Sequence, residues 1–376
     1  MLIKNGQIHD AIREEGFAAD LRAEGGKIVE IAPNLTPKAG EEVVDASGLW
    51  VYPGLVEAHC HTGLHGVANG PEGTDVNEKA NIISSEVRAI DSFYPQDDGV
   101  RIAREAGVTT ICTGPGSSDV IGGTFAAIKT AGSCVDEMIL RSPAAMKCAF
   151  GEHTKHAHGK TCSATRMGGA AWMRKALFEA REYMQAQEAG EKQKFDLRME
   201  ALIPVLKREI PFKVHVQRAD DICTVLRIAK EFDVRVTLDH CSGAEPVIPQ
   251  IKAAGVPVAV GPLLVAPGTL TETRGKSPAI AAQLDAAGVP FCIITDSPVI
   301  LQQYLVLCAE ACIRAGLAPF KALQAITINA AKHIGCEDRV GSLEVGKDAD
   351  FVLWTGDIFR YTSRIEAVYI EGKRVC

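Results

Sequence analysis

Two histidines separated by one residue, His59 and His61, close a short apolar run that begins at Leu55. Side chains alternate along a strand, so both imidazoles would face one way and could bind a single metal ion. Three further apolar runs end in a similar fashion, in Lys213-Val214-His215, Leu238-Asp239-His240 and Ile294-Thr295-Asp296. Taken singly, each of these residues is explained as a rim hydrogen-bonding group, and Asp296 ahead of Ser297-Pro298 as a turn or helix-capping residue. Together, His59, His61, His215, His240 and Asp296 point to one divalent metal centre. Imidazole and carboxylate donors without a thiolate suit zinc first, as one or two ions, with iron, manganese or nickel as other choices. Such a metal makes water acidic near neutral pH. Asp296 would then shuttle the proton, and His240 could donate, as a neutral ring, to a tetrahedral intermediate.

The segment Ala144-Ala145-Met146-Lys147-Cys148-Ala149-Phe150-Gly151-Glu152 adds two candidates for a group that bridges metals. A lysine inside an apolar strand needs a partner, a modification or a route to solvent. Carbamylation by carbon dioxide would make Lys147 an anionic ligand. Glu152, at the mouth of the strand, needs no added chemistry and is the preferred bridge. Further along, His153, His156 and His158 form a histidine-rich stretch, of which His153 is a candidate for touching metal or substrate. Arg166 and Arg218 follow rim positions and could grip a substrate carboxylate. Gly114-Pro115-Gly116-Ser117-Ser118 reads as a loop with some likeness to an anion-binding turn.

Positioning these groups requires several strands that end on one face. From Pro53 to about Gly335, short apolar strands alternate with helical patterns, which is the texture of βα units around a parallel sheet. Strands are predicted at residues 55–59, 109–113, 144–150, 212–216, 235–239, 256–260 and 291–295, with 124–129 as an eighth. Helices are predicted at 99–106, 166–187, 219–231, 245–254 and 278–287. No GxGxxG follows the first strand, which leaves an α/β fold of the distorted (β/α)8 TIM-barrel type as the expectation. Residues 1–52 and 338–376 carry a different texture of short β stretches and Gly-rich turns. They are expected to pair into a small β-sandwich beside a barrel of residues 53–337.

Bulk properties narrow the partners. Hydrophobic residues make up 47% and charged residues 23% of the 376, enough apolar material for a large core. A formal charge of -7 with no long basic run argues against nucleic acid. No apolar run of membrane-spanning length occurs, so no membrane partner is expected. Met1 leads into Leu-Ile-Lys-Asn-Gly without a signal-like segment, which predicts a cytoplasmic protein. Twelve scattered cysteines without a CxxC pair read as reduced thiols. The expected partner is a small-molecule substrate.

The run Val51-Tyr52-Pro53-Gly54-Leu55-Val56-Glu57-Ala58-His59-Cys60-His61 resembles the opening motif of the amidohydrolase superfamily. Val340-Gly341-Ser342-Leu343-Glu344-Val345-Gly346-Lys347-Asp348-Ala349-Asp350-Phe351 is similar to that superfamily's return to its β-sandwich, and Ala325-Ile326-Thr327-Ile328-Asn329-Ala330-Ala331 precedes it. Within the superfamily the chain is most similar to the imidazolonepropionase-like, generic metal-dependent hydrolase branch, which also contains dipeptidases. It departs from that branch at His153-Thr154, where Asn-Pro is expected. The resemblance implies a metal held by His59 and His61, a bridge from Lys147 or Glu152, further ligands His215 and His240, Asp296 as proton shuttle, and a homo-oligomer. Three functions remain open: hydrolysis of a C–N bond in a cyclic amide or dipeptide-like substrate, deamination of a heterocyclic amine, and a non-catalytic scaffold.

Overall fold

The computed structural model describes residues 1–67, 70–264 and 271–376. Two eight-stranded sheets organise it. The first takes β1 (Leu2–Ile8), β2 (Phe17–Glu24), β3 (Lys27–Ala32), β4 (Val43–Asp45) and β5 (Trp50–Pro53) from one end of the chain. Its second sheet partner is the barrel, built from β6 (Leu55–Cys60), β7 (Val108–Thr113), β8 (Ile121–Lys129), β9 (Ile139–Ala149), β10 (Phe212–Val216), β11 (Val236–His240), β12 (Val258–Val260) and β13 (Phe291–Ile293). The other end of the chain returns β14 (Phe351–Trp354), β15 (Ile365–Ile370) and β16 (Lys373–Arg374) to the first sheet. Its order is β16-β15-β14-β5-β1-β2-β3, with β4 also on β1, so the two ends do pair as the small β-sandwich layer. β1 runs parallel to β4 and β5, so this layer is not purely antiparallel.

In the barrel the order is β13-β12-β11-β10-β9-β8-β7-β6. Strands β9 to β13 are mutually parallel, and β6 is parallel to β7. β8 is reversed against both neighbours, which distorts the (β/α)8 pattern. Its connections explain this: residues 114–120 and 130–138 hold no crossover of the dozen or more residues that a parallel return needs. β6, β7, β10, β11, β12 and β13 are buried along their whole length, which is why they read as continuous apolar runs.

The seam between the first and last barrel strands is joined by a side chain. Glu57, fully buried in β6, accepts from the backbone N–H of Thr295 at 2.9 Å, from its hydroxyl at 2.5 Å and from the N–H of His59 at 3.1 Å. Burial pushes its carboxyl up to about 7, against the pull of those Thr295 and His59 donors. Outside the barrel, the long helices Arg166–Glu188 and Ala219–Phe232 cover it much as their apolar periodicity predicts. Among the described residues no helix is long and apolar enough to cross a membrane. The twelve cysteines are free thiols, most of them buried.

Candidate metal centre

β6 delivers His59 and His61 to the barrel mouth with ring centroids 5.2 Å apart and planes nearly perpendicular. Asp296 meets them from beyond β13: its Oδ1 lies 3.3 Å from His59 Nε2 and 3.3 Å from His61 Nε2. His240, at the end of β11, places its ring 5.2 Å from that of His59 and 4.5 Å from that of His215 at the end of β10. Two of these residues hold left-handed backbone, His240 with φ 76° and Asp296 with φ 57°. Such conformations cost about 1–3 kcal/mol each and persist where surrounding contacts fix them. The turn at His240 also explains how consecutive residues, Asp239 and His240, both approach His59, which strand alternation alone forbids.

Hydrogen bonds on the far side of the rings set their tautomers. His61 Nδ1 donates to the carbonyl of Gly114 at 2.7 Å, and His240 Nδ1 to the carbonyl of Gly261 at 2.8 Å. A carbonyl only accepts, so in the neutral rings both Nε2 atoms carry lone pairs. His59 Nδ1 sits 3.0 Å from Asp239 Oδ2, which turns its Nε2 inward in the same sense. Burial drives His59 and His240 below the ordinary imidazole range, and His215 with them. Burial alone would raise Asp296, but His240, His59 and His61 hold its carboxyl well below the usual carboxylate range. His59 Nε2 and His61 Nε2 each stand 3.3 Å from Asp296 Oδ1, and the three atoms lie within 4.8 Å of one another. Ligands about 2.0–2.1 Å from one tetrahedral ion stand at about this separation, so the residues fit a divalent cation. With Nδ1 donating to the Gly261 carbonyl, a neutral His240 presents Nε2 as an acceptor, which suits it to ligation.

Lys147, on β9, is fully buried and its Nζ has no hydrogen-bond partner. It lies 5.6 Å from the centroid of Phe125, whose ring also underlies His59 at 5.3 Å. Burial lowers its pKa to about 8, although Asp239 and Asp296 pull it the other way. Glu152 is placed differently from the expectation. It opens the helix Glu152–His158, and its carboxylate accepts from the backbone N–H of Thr271 at 3.0 Å and from the Thr271 hydroxyl. With both oxygens so engaged, its placement does not support a bridging role.

A carboxylate that the sequence reading missed stands near where Glu152 was expected. Glu272, in the short turn Thr271–Thr273, has no exposed side-chain surface. Its Oε1 is 3.4 Å from His215 Nε2 and 3.9 Å from His153 Nε2, and its Oε2 accepts from the N–H of Glu152 at 2.7 Å. Among the described residues, two groups of side chains could thus hold a metal ion: His59, His61 and Asp296, and His153, His215 and Glu272. No periodicity marks Glu272, because it comes from a loop and not from a strand end.

Other missed groups had a signal. Lys213 is a second lysine inside an apolar strand, and its Nζ pairs with Asp239 Oδ1 at 2.7 Å. Burial would lower the pKa of Lys213, but the Asp239 charge outweighs it and raises it. His333 closes this buried group, 3.3 Å from Lys213 Nζ and 3.8 Å from Asp239 Oδ1. Of the candidate substrate arginines, Arg166 spends Nε on Asp221 at 2.9 Å while its Nη2 is buried without a hydrogen-bond partner, 4.0 Å from Glu152. Arg218 does not join the group. It is exposed and closes its fork on Asp220, at 2.9 and 3.0 Å, two residues ahead on the same helix start. His158 is also tied down, with Nε2 2.7 Å from Asp119. In the loop after β7, the Gly114 carbonyl holds His61, and the Gly116 and Ser118 N–H groups are taken by the Val76 carbonyl and by Asn77.

A distorted barrel that gathers imidazoles and carboxylates at its strand ends, with a sheet from both chain ends beside it, defines the amidohydrolase class. The sequence pattern of the Amidohydrolase family matches residues 207–375. An amidohydrolase from Thermotoga maritima MSB8 superposes with a TM-score of 0.96 at 36% identity, over 100% of this chain and 99% of that one. The chain belongs to the amidohydrolase family. The amidohydrolase tasK of Hapsidospora irregularis is 26% identical over 95% of this chain, which spans 40% of that relative's length. An imidazolonepropionase of Streptococcus pyogenes is 30% identical over 44% of this chain and 41% of its own.

Proposed function

We propose that this protein is a metal-dependent hydrolase of a C–N bond in a cyclic amide or dipeptide-like small molecule. The observation that carries the reading is the gathering of His59 Nε2, His61 Nε2 and Asp296 Oδ1 within 4.8 Å of one another, a spacing that supports a bound cation. His215 and His240 stand beside them as further ligands. Lys147 is the candidate bridge: as a free amine it can add carbon dioxide, forming an N–C bond and releasing one proton to become a carbamate. Its burial without a hydrogen-bond partner supports this choice over Glu152.

A bound divalent ion, zinc by the nature of the donors, would supply Lewis acidity to the substrate carbonyl and to water. The chain's own contribution is proton handling and orientation. Asp296, held as a carboxylate, accepts the proton of the attacking water at Oδ1 or Oδ2 and returns it to the departing nitrogen. Asp239 and the Gly114 and Gly261 carbonyls fix the rings of His59, His61 and His240, so that their Nε2 atoms stay aimed. Arg166, whose Nη2 has no hydrogen-bond partner, and His153 at the rim would orient a substrate carboxylate. The likeness to an imidazolonepropionase supports a cyclic amide.

The test is turnover of zinc-loaded protein on a panel of lactams, cyclic imides and dipeptides, with ammonia measured in parallel. Ring opening or dipeptide cleavage that Asp296→Asn abolishes is the expected result. Ammonia release from heterocyclic amines without ring opening would instead make the protein a deaminase.

A further inference from the structure

We propose that Lys276 binds an anionic group of the substrate, a carboxylate carried beside the scissile C–N bond. This rests on the reading of the barrel mouth as a hydrolase site and narrows its substrates to acids, selected by a residue from a loop and not from a strand end.

Lys276 closes the segment 271–276, which the chain pins to the mouth at both ends. At its start, the Glu152 carboxylate accepts from the N–H of Thr271 at 3.0 Å, and the N–H of Glu152 donates to Glu272 Oε2 at 2.7 Å. Gly151 permits that second contact, since a Cβ there would stand 2.4 Å from Glu272 Oε2. At its end, Gly275 lies flush on the backbone that follows β11: a Cβ on it would stand 2.8 Å from the Ser242 carbonyl oxygen and 3.4 Å from Gly243 Cα. Within the segment, the N–H of Arg274 donates to the Thr271 carbonyl at 3.3 Å and that of Lys276 to the Thr273 carbonyl at 3.2 Å, so the turn holds its own shape. Lys276 is thus carried beside two strand ends of the site, β9 with Glu152 just beyond it and β11 with His240 as its last residue.

The ammonium has no group of its own to pair with. Among the described residues Lys276 makes no side-chain hydrogen bond and no ion pair, although the side chain is half-buried. Burial lowers its pKa, and the charges that pull it back up are those of Asp296 and Glu272, both in the site. A lysine kept only to balance those acids would close on one of them in a charged hydrogen bond. A half-buried cation that stays apart is costly until an anion reaches it. Arg166 stands at the same corner: its Nη2, without a hydrogen-bond partner, is 4.0 Å from Glu152 Oε1. A lysine is a compact charge on a long stem, able to follow an anion that a planar guanidinium holds from one side.

The experiment pairs acids with their neutral amides on the zinc-loaded full chain: 5-oxoproline with 5-oxoprolinamide, and alanyl-leucine with its C-terminal amide. Turnover is measured in wild type, Lys276→Met and Lys276→Arg, and binding of the same compounds by calorimetry in Asp296→Asn, with and without Lys276→Met. Wild type should favour at least one acid over its amide by about tenfold or more in kcat/KM, the worth of one hydrogen bond to a charged group. Lys276→Met should bring that ratio close to one, through KM more than kcat and with zinc content unchanged, and Lys276→Arg should restore most of it. A ratio that survives Lys276→Met would overturn the inference, as would acids bound no more tightly than amides in Asp296→Asn. Acids that bind through Lys276 yet are never cleaved would overturn the hydrolase reading and leave the anion site standing.

Discussion

Lys147 and Lys213 are register partners on adjacent strands, both fully buried, yet only Lys213 has an ionic partner in contact. Asp239 neutralises Lys213 and also faces His59, so one buried carboxylate serves both the barrel's interior charge and the orientation of a ligand. Lys147, by contrast, has an amine with nothing to bond to. The two lysines should therefore respond in opposite ways to the same substitution.

In metal-free protein, Lys147→Met is expected to melt within about 1 kcal/mol of wild type or above it, because it removes an unsatisfied buried group. Lys213→Met strands Asp239 without its cation and should cost about 3–5 kcal/mol. Urea denaturation of both variants checks this. Loss of turnover in Lys147→Met with stability retained would show that the amine is kept for chemistry, and equal destabilisation of the two would contradict the distinction.

Asp239→Asn removes a charge that holds both Lys213 and His59. Supporting carboxylates of this kind change metal affinity about 10–100-fold when removed. Zinc affinity, measured by competition with a chromophoric chelator, should fall within that range, and unchanged affinity would free His59 from dependence on Asp239.

Glu152→Gln tests the bridge. Its carboxylate binds Thr271, so the variant should keep the wild-type metal stoichiometry and lose about 1 kcal/mol of stability. Loss of bound metal in Glu152→Gln, with Lys147→Met unaffected, would restore Glu152 as the bridge.

Much of the architecture was legible because buried parallel strands are written as apolar runs. β10 was placed to the residue, and β6 and β11 within a residue or two at each end. β8 was named, but its reversal was not, since direction depends on the length of the connections and not on strand composition. At the mouth, the histidines at strand ends could be found by alternation. Asp239 could not, because His240 leaves the strand conformation with a positive φ and breaks that alternation. Glu272 was out of reach for a different reason: a loop residue has no period to betray which way it points. Lys213 carried the same signal as Lys147, a cation in an apolar strand.

Away from the mouth, Asp348 gathers Lys27, Lys129 and Arg339 at 2.5, 2.8 and 2.7 Å. Burial would raise its carboxyl, but Arg339 and the two lysines bring it down to about 2. A folded pKa below the unfolded value means stability that is present above about pH 4 and lost as pH falls toward about 2. Acid unfolding followed by circular dichroism should therefore show a steeper loss over this window in wild type than in Asp348→Asn. Parallel curves for the two would remove Asp348 from the acid response.

The central claim is that a cation belongs among His59, His61 and Asp296. Crystals of zinc-loaded protein, measured on both sides of the zinc absorption edge, test it most directly. The account predicts an anomalous peak within about 2.0–2.3 Å of His59 Nε2, His61 Nε2 and an oxygen of Asp296. No peak there, with Asp296 turned away and the two rings bonded elsewhere, would contradict it.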